Sequence, residues 1–149
     1  MILNEQCQDY GYWYYNDPPF PRMLSAILAV SDATRNNGCL RVLKGSHQCG
    51  RLDHQRIGQQ RGAEPDRVEA LKTRFEEVYC ELQSGDVLFF HCNLLHSSAL
   101  NLSDHARISY ICCYNALGNP PLTQDGHGPC VPITLVEDHF DQWKELSVI

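Results

Sequence analysis

The stretch from Gly85 to Tyr114 constrains this chain more than any other. A Gly85-Asp86 turn runs into Val87-Leu88-Phe89-Phe90, then His91-Cys92-Asn93-Leu94-Leu95-His96-Ser97-Ser98, and Arg107 follows His96 by eleven residues at the head of a further apolar run ending at Tyr114. Apolar runs this short, bounded by turn residues, read as strands. A histidine at a strand end, with an arginine on the next strand, sets a metal-ligating imidazole beside a guanidinium fork that can hold a carboxylate. Side chains alternate between the faces of a strand, so the adjacent Cys112 and Cys113 point opposite ways and cannot share one metal.

The remaining pattern agrees with a strand-rich domain. Met23 to Ser31, between Pro21 and Asp32, is apolar and fits a buried strand; Asn36-Asn37-Gly38 is a turn, and Cys39 to Leu43 a returning strand. Glu64-Pro65-Asp66 is a helix start, and Val68, Leu71, Phe75 and Val78 follow at helical spacing, which predicts a helix over Pro65 to Glu77. Val78 to Leu82 and Val87 to Phe90 then form a strand pair around the Gln83-Ser84-Gly85-Asp86 turn, and a short amphipathic helix is expected around Asp138 to Leu146. Several strands with one clear helix predict a single domain over residues 1–149, a β-sandwich or barrel with peripheral helices.

Charge and cysteine usage narrow the partners. A net charge of -6 disfavours nucleic acid and anionic membranes, leaving a small molecule or a protein. The N-terminal residues lack a basic region followed by an apolar stretch, and no apolar run has membrane-spanning length, so a soluble, intracellular, cytoplasmic protein is expected. The eight cysteines sit singly or adjacent, several inside apolar runs, and are read as reduced, mostly buried thiols. His47, Cys49 and His54 are acceptable zinc ligands, but no fourth ligand stands at a convincing spacing.

Three blocks in order carry a family resemblance. GDVLFFHCNLLHSSALN with ARISYICCYNA resembles the distal half of the phytanoyl-CoA dioxygenase family, which includes ectoine hydroxylase. GCLRVLKGSHQCGRLDH resembles its middle segment, with the Gly45-Ser46-His47 turn, and QDYGYWYYNDPPFPRMLSAILAVSDAT resembles the stretch that opens with a His-x-Asp motif. The resemblance runs from Gln6 to Pro121 and implies a double-stranded β-helix, a jelly-roll or cupin-like barrel that holds Fe(II) and 2-oxoglutarate. It implies Asp9 and His96 as iron ligands, Arg107 on the far carboxylate of 2-oxoglutarate, and Ser98 assisting it. Tyr10 and Trp13, just after the metal motif, are candidates for the substrate pocket.

The sequence departs from that pattern at the first ligand, where Cys7 stands in Cys7-Gln8-Asp9 and the family has histidine. A thiolate can bind iron, yet it is softer and negative, and it favours zinc or oxidation. Members of the family also carry a substantial region before this motif, so a barrel incomplete at its N-terminus is expected, with strand edges that favour self-association. Two readings follow: a dioxygenase that hydroxylates a small metabolite or lipid-derived substrate, releasing succinate and CO2, or a catalytically impaired homologue that binds a ligand or protein.

Overall fold

The structure is a computed structural model that describes residues 6–9, 21–119 and 131–134. Its strands are β1 (Met23–Ala29), β2 (Leu40–Leu43), β3 (His54–Ile57), β4 (Gln60–Ala63), β5 (Glu77–Cys80), β6 (Val87–His91), β7 (His96–Ser98) and β8 (Ser109–Asn115), with helix α1 at Pro65–Lys72. One sheet has the order β6-β1-β8, the second β5-β2-β7, and β3-β4 forms a hairpin; every named pairing is antiparallel. The two three-stranded sheets face each other across a cavity, which is the jelly-roll, double-stranded β-helix arrangement expected from the sequence.

The period-two pattern decides which residues line that cavity. Ile27 and Ala29 of β1, Leu88 and Phe90 of β6, and Ile111 and Cys113 of β8 come from one sheet, and Leu40, Cys80, His96 and Ser98 from the other. Cys112 falls on the opposite face from Cys113, as alternation requires. The outward face of the first sheet leaves Val87, Phe89 and Tyr110 exposed.

A separate apolar cluster backs the second sheet. Leu43, Leu52, Ala63, Val68 and Leu95 are buried together, with Leu71 and Phe75 packed against them. Burying each of the two leucines with no exposed surface, Leu43 and Leu95, stabilises the fold by about 1.5 to 3 kcal/mol. Leu95 of this cluster immediately precedes His96, the first residue of β7.

Four features differ from the sequence reading. Val78 to Leu82 and Val87 to Phe90 do not pair around their turn, because β5 pairs with β2 in one sheet and β6 with β1 in the other. The helix ends at Lys72 rather than Glu77, because Glu77 and Val78 pair with Leu43 and Val42 of β2. Val78 satisfied the helical spacing, but strand pairing claimed it, while Phe75 still reaches the core. Arg107 lies in the loop before β8 rather than on the strand. The β3-β4 hairpin is additional: its strands are largely polar, and its turn is marked by Gly58 at φ 60°. The expected helix around Asp138 to Leu146 falls outside the described residues.

Candidate metal centre

Residues 6–9 run alongside β7. The amide of Cys7 donates to the His96 carbonyl at 2.9 Å, and the amide of His96 returns to the Cys7 carbonyl at 3.0 Å. Residues directly opposite across an antiparallel bridge put their side chains on one face, so Cys7 and His96 meet. Asp9, two residues on, shares that face.

The residue between them anchors the segment from the other side. Gln8 is buried, and its side-chain amide donates to the carbonyls of Gly50 and Asn93 at 2.9 and 2.6 Å while its oxygen accepts the Leu52 amide at 2.8 Å. Its backbone amide donates to Nε2 of His54, and His54 Nδ1 lies 2.9 Å from the Leu52 carbonyl. Both ring nitrogens of His54 are thereby engaged. Among the described residues, His47, Cys49 and His54 do not come together as a metal cluster; Cys7, Asp9 and His96 do.

The donor atoms of Cys7, Asp9 and His96 all lie within 4.8 Å of one another. Cys7 Sγ is 3.4 Å, and Asp9 Oδ1 3.5 Å, from Nε2 of His96. His96 Nδ1 sits 2.9 Å from the Leu94 carbonyl, which holds the Nδ1–H tautomer and leaves the Nε2 lone pair facing Cys7 and Asp9. Lone pairs of Nε2 and Oδ1 then point into one space, an arrangement that a cation between them reconciles. The Phe90 ring packs against the imidazole, with centroids 5.0 Å apart.

Burial and the neighbouring Asp9 carboxylate push the Cys7 thiol from its ordinary 9.0 up to about 12. Without a metal the side chain is therefore a thiol, and its S–H can donate to Nε2. The same causes push Cys92 up to about 12; burial, with a smaller effect of Cys39, pushes Cys80 up to about 11.

Asp9, His96, Ser98 and Arg107 share the cavity of about 490 Å3 between the sheets. Arg107 donates from Nε to the Asn37 carbonyl at 3.3 Å, against the turn that ends in Gly38. Gly38 has φ 80°, and a Cβ there would run into the Ala99 carbonyl oxygen, so only glycine lets this turn pack beside the loop leading to Arg107. Tyr10 and Trp13 lie outside the described residues.

Two residues that hold the candidate centre in place escaped the sequence reading. Gln8 appeared there only as the spacer of Cys7-Gln8-Asp9. Ser25, within the apolar MLSAILA strand, donates to Asp9 Oδ2 at 2.9 Å. A lone hydroxyl at an inward position of an apolar strand is the signal that marks it.

The donor set fits a divalent first-row metal. An imidazole nitrogen and a carboxylate oxygen are two of the three donors of the facial triad that holds non-haem Fe(II), and a thiolate is a competent, softer third.

Comparison with known proteins assigns the chain to a family. Residues 7–109 match the family model for phytanoyl-CoA dioxygenase (PhyH). Phytanoyl-CoA dioxygenase 1 of Oryza sativa subsp. japonica is 37% identical over 93 residues, covering 62% of this chain and 32% of that protein. The ectoine dioxygenase of Bordetella bronchiseptica is 31% identical over 124 residues, covering 74% of this chain and 40% of its own length. The crystal structure of EctD from S. alaskensis with bound Fe superposes with a TM-score of 0.64 at 26% identity, covering 80% of this chain and 41% of that one. The same enzyme is also known with 2-oxoglutarate and 5-hydroxyectoine. This chain thus spans between about a third and two-fifths of the length of these relatives. On the family model and on these likenesses, the chain belongs to the phytanoyl-CoA dioxygenase family.

Proposed function

We propose that this chain carries the metal and cosubstrate centre of an Fe(II)/2-oxoglutarate-dependent dioxygenase that hydroxylates a small metabolite or lipid-derived substrate. The observation that carries the proposal is the convergence of Cys7, Asp9 and His96 at the cavity that Ser98 and Arg107 also line.

Each residue has a task that its surroundings support. His96 offers Nε2, with its tautomer held by the Leu94 carbonyl. Asp9 offers Oδ1, and Cys7 supplies a thiolate once its proton is displaced. Arg107 offers a fixed cation for the far carboxylate of 2-oxoglutarate, and the Ser98 hydroxyl assists by hydrogen bonding. Ile27, Leu88 and Phe90 give the cavity an apolar wall beside that ion pair. Iron and 2-oxoglutarate, when bound, would supply the oxidising chemistry, in which one O2 is consumed, 2-oxoglutarate is converted to succinate and CO2, and a C–H bond of the substrate is hydroxylated.

One observation favours a second reading. The buried Cys7 thiol can satisfy itself against His96 Nε2, so the centre closes on itself without a metal. The corresponding protein binds a ligand or partner without turnover.

The wider setting belongs to the same proposal. Among the described residues no helix is long and apolar enough to cross a membrane, and seven cysteines are free thiols, as a reducing cytoplasm favours. β6 and β8 are the outer strands of their sheet and leave Phe89 and Tyr110 exposed, which supports self-association. Succinate release from 2-oxoglutarate in air, with Fe(II) and ascorbate, separates the two readings. The dioxygenase releases succinate, and Asp9→Ala abolishes that release; a chain that binds 2-oxoglutarate and yields no succinate is the noncatalytic form.

A further inference from the structure

Ser25 belongs to none of the donor groups, yet it divides the work of the Asp9 carboxylate. It sits in β1 at 1% exposure, on the inward face with the apolar Ile27 and Ala29. Its hydroxyl donates to Asp9 Oδ2 at 2.9 Å, whereas Asp9 Oδ1 is the oxygen near His96 Nε2. Across the sheet Ser25 is in register with Cys113, whose Sγ lies 3.7 Å from Ser25 Oγ. A serine has one hydroxyl proton, and here it goes to the carboxylate. The Cys113 S–H therefore donates to Ser25 Oγ, and a chain of donors runs from β8 through β1 to Asp9.

We propose that Ser25 is a positioning residue that keeps Asp9 a one-oxygen ligand. The proposal rests on the reading of Cys7, Asp9 and His96 as the metal centre. A carboxylate can hold a metal through one oxygen or both, and the two-oxygen form occupies a further coordination position. With Oδ2 engaged by Ser25, only Oδ1 is presented, and the open positions stay available to a chelating 2-oxo acid. The seclusion of Ser25 keeps water from replacing its hydroxyl in this role.

The test is a Co(II) titration of the chain, of Ser25→Ala and of Ser25→Thr, followed by visible absorption, with thermal unfolding of the metal-free forms alongside. Ser25→Ala is expected to weaken Co(II) binding about 10 to 100-fold and to shift the visible bands, while Ser25→Thr keeps the affinity within about threefold. Equal affinity and unchanged bands in Ser25→Ala overturn the proposal. So does a folded Ser25→Thr that loses Co(II), because its hydroxyl is retained; if Ser25→Ala fails to fold, this variant decides alone. Failure of the unaltered chain to bind Co(II) removes the metal-centre reading and the Ser25 role together, whereas equal binding by the chain and Ser25→Ala removes only the latter.

Discussion

Cys7 Sγ stands 3.4 Å from Nε2 of His96, on the shared face of a two-hydrogen-bond antiparallel bridge. The position of the sulfur is set by backbone pairing, so a different side chain at residue 7 would be aimed at the same nitrogen. The candidate centre is therefore set by strand pairing, and the donor it offers to a metal depends on the side chain at residue 7.

Metal uptake should release the Cys7 proton. The thiol is held up to about 12, so between about pH 7 and about pH 9 metal affinity should rise about tenfold per unit as proton competition weakens. In Cys7→His, an imidazole with an ordinary value of about 6.5 has already lost its proton there, and the slope should flatten. Competition titrations at several pH values measure both slopes; a flat profile in the unaltered chain means that sulfur is not a ligand.

Arg107 should govern 2-oxoglutarate and leave the metal alone. Arg107→Lys keeps the charge but not the planar fork, and Arg107→Ala removes both, so cosubstrate affinity should fall in that order by about 10 to 100-fold. Metal affinity in the absence of 2-oxoglutarate should stay as it was. Calorimetry on the metal-loaded chain distinguishes this from a general collapse of the cavity, in which metal affinity would fall too.

The buried thiols make alkaline stability a reporter of the fold. Cys80 and Cys92 are raised from 9.0 to about 11 and about 12, so between pH 9.0 and those values the unfolded chain has given up protons that the folded chain retains. The contribution is fully present below pH 9.0 and is lost as pH rises through the folded values. Urea unfolding of the metal-free chain should show stability falling across that window, less steeply in Cys80→Ala; equal slopes in the two chains contradict the burial of Cys80.

Leu95 ties the core to the centre. It is fully buried, and its amide donates to Ser46 Oγ immediately before His96. Leu95→Ala should cost about 2 to 5 kcal/mol of stability, read by denaturant unfolding. A cost below about 1 kcal/mol would mean that this cluster is not packed as described.

Much of this architecture was legible in the sequence because it rests on short-range rules. Alternation placed Cys112 and Cys113 on opposite faces, Gly and Asp marked the turn before β6, and the family pattern pointed to Asp9, His96, Ser98 and Arg107, which do line one cavity. What was not legible depends on pairing across long separations. Helical spacing extended α1 to Glu77, which β2 instead pairs in a strand. The polar β3-β4 hairpin carries little periodicity, and the roles of Gln8 and Ser25 exist only once segments 44 and 16 residues away are brought beside them.

The most direct test of the central claim is an anaerobic titration with Fe(II) and 2-oxoglutarate, following the visible metal-to-ligand charge-transfer band in the chain and in Cys7→His side by side. A band is expected in both, with Cys7→His saturating at lower Fe(II) at neutral pH because it has no thiol proton to displace. A band in neither chain contradicts the claim that Cys7, Asp9 and His96 form the metal centre.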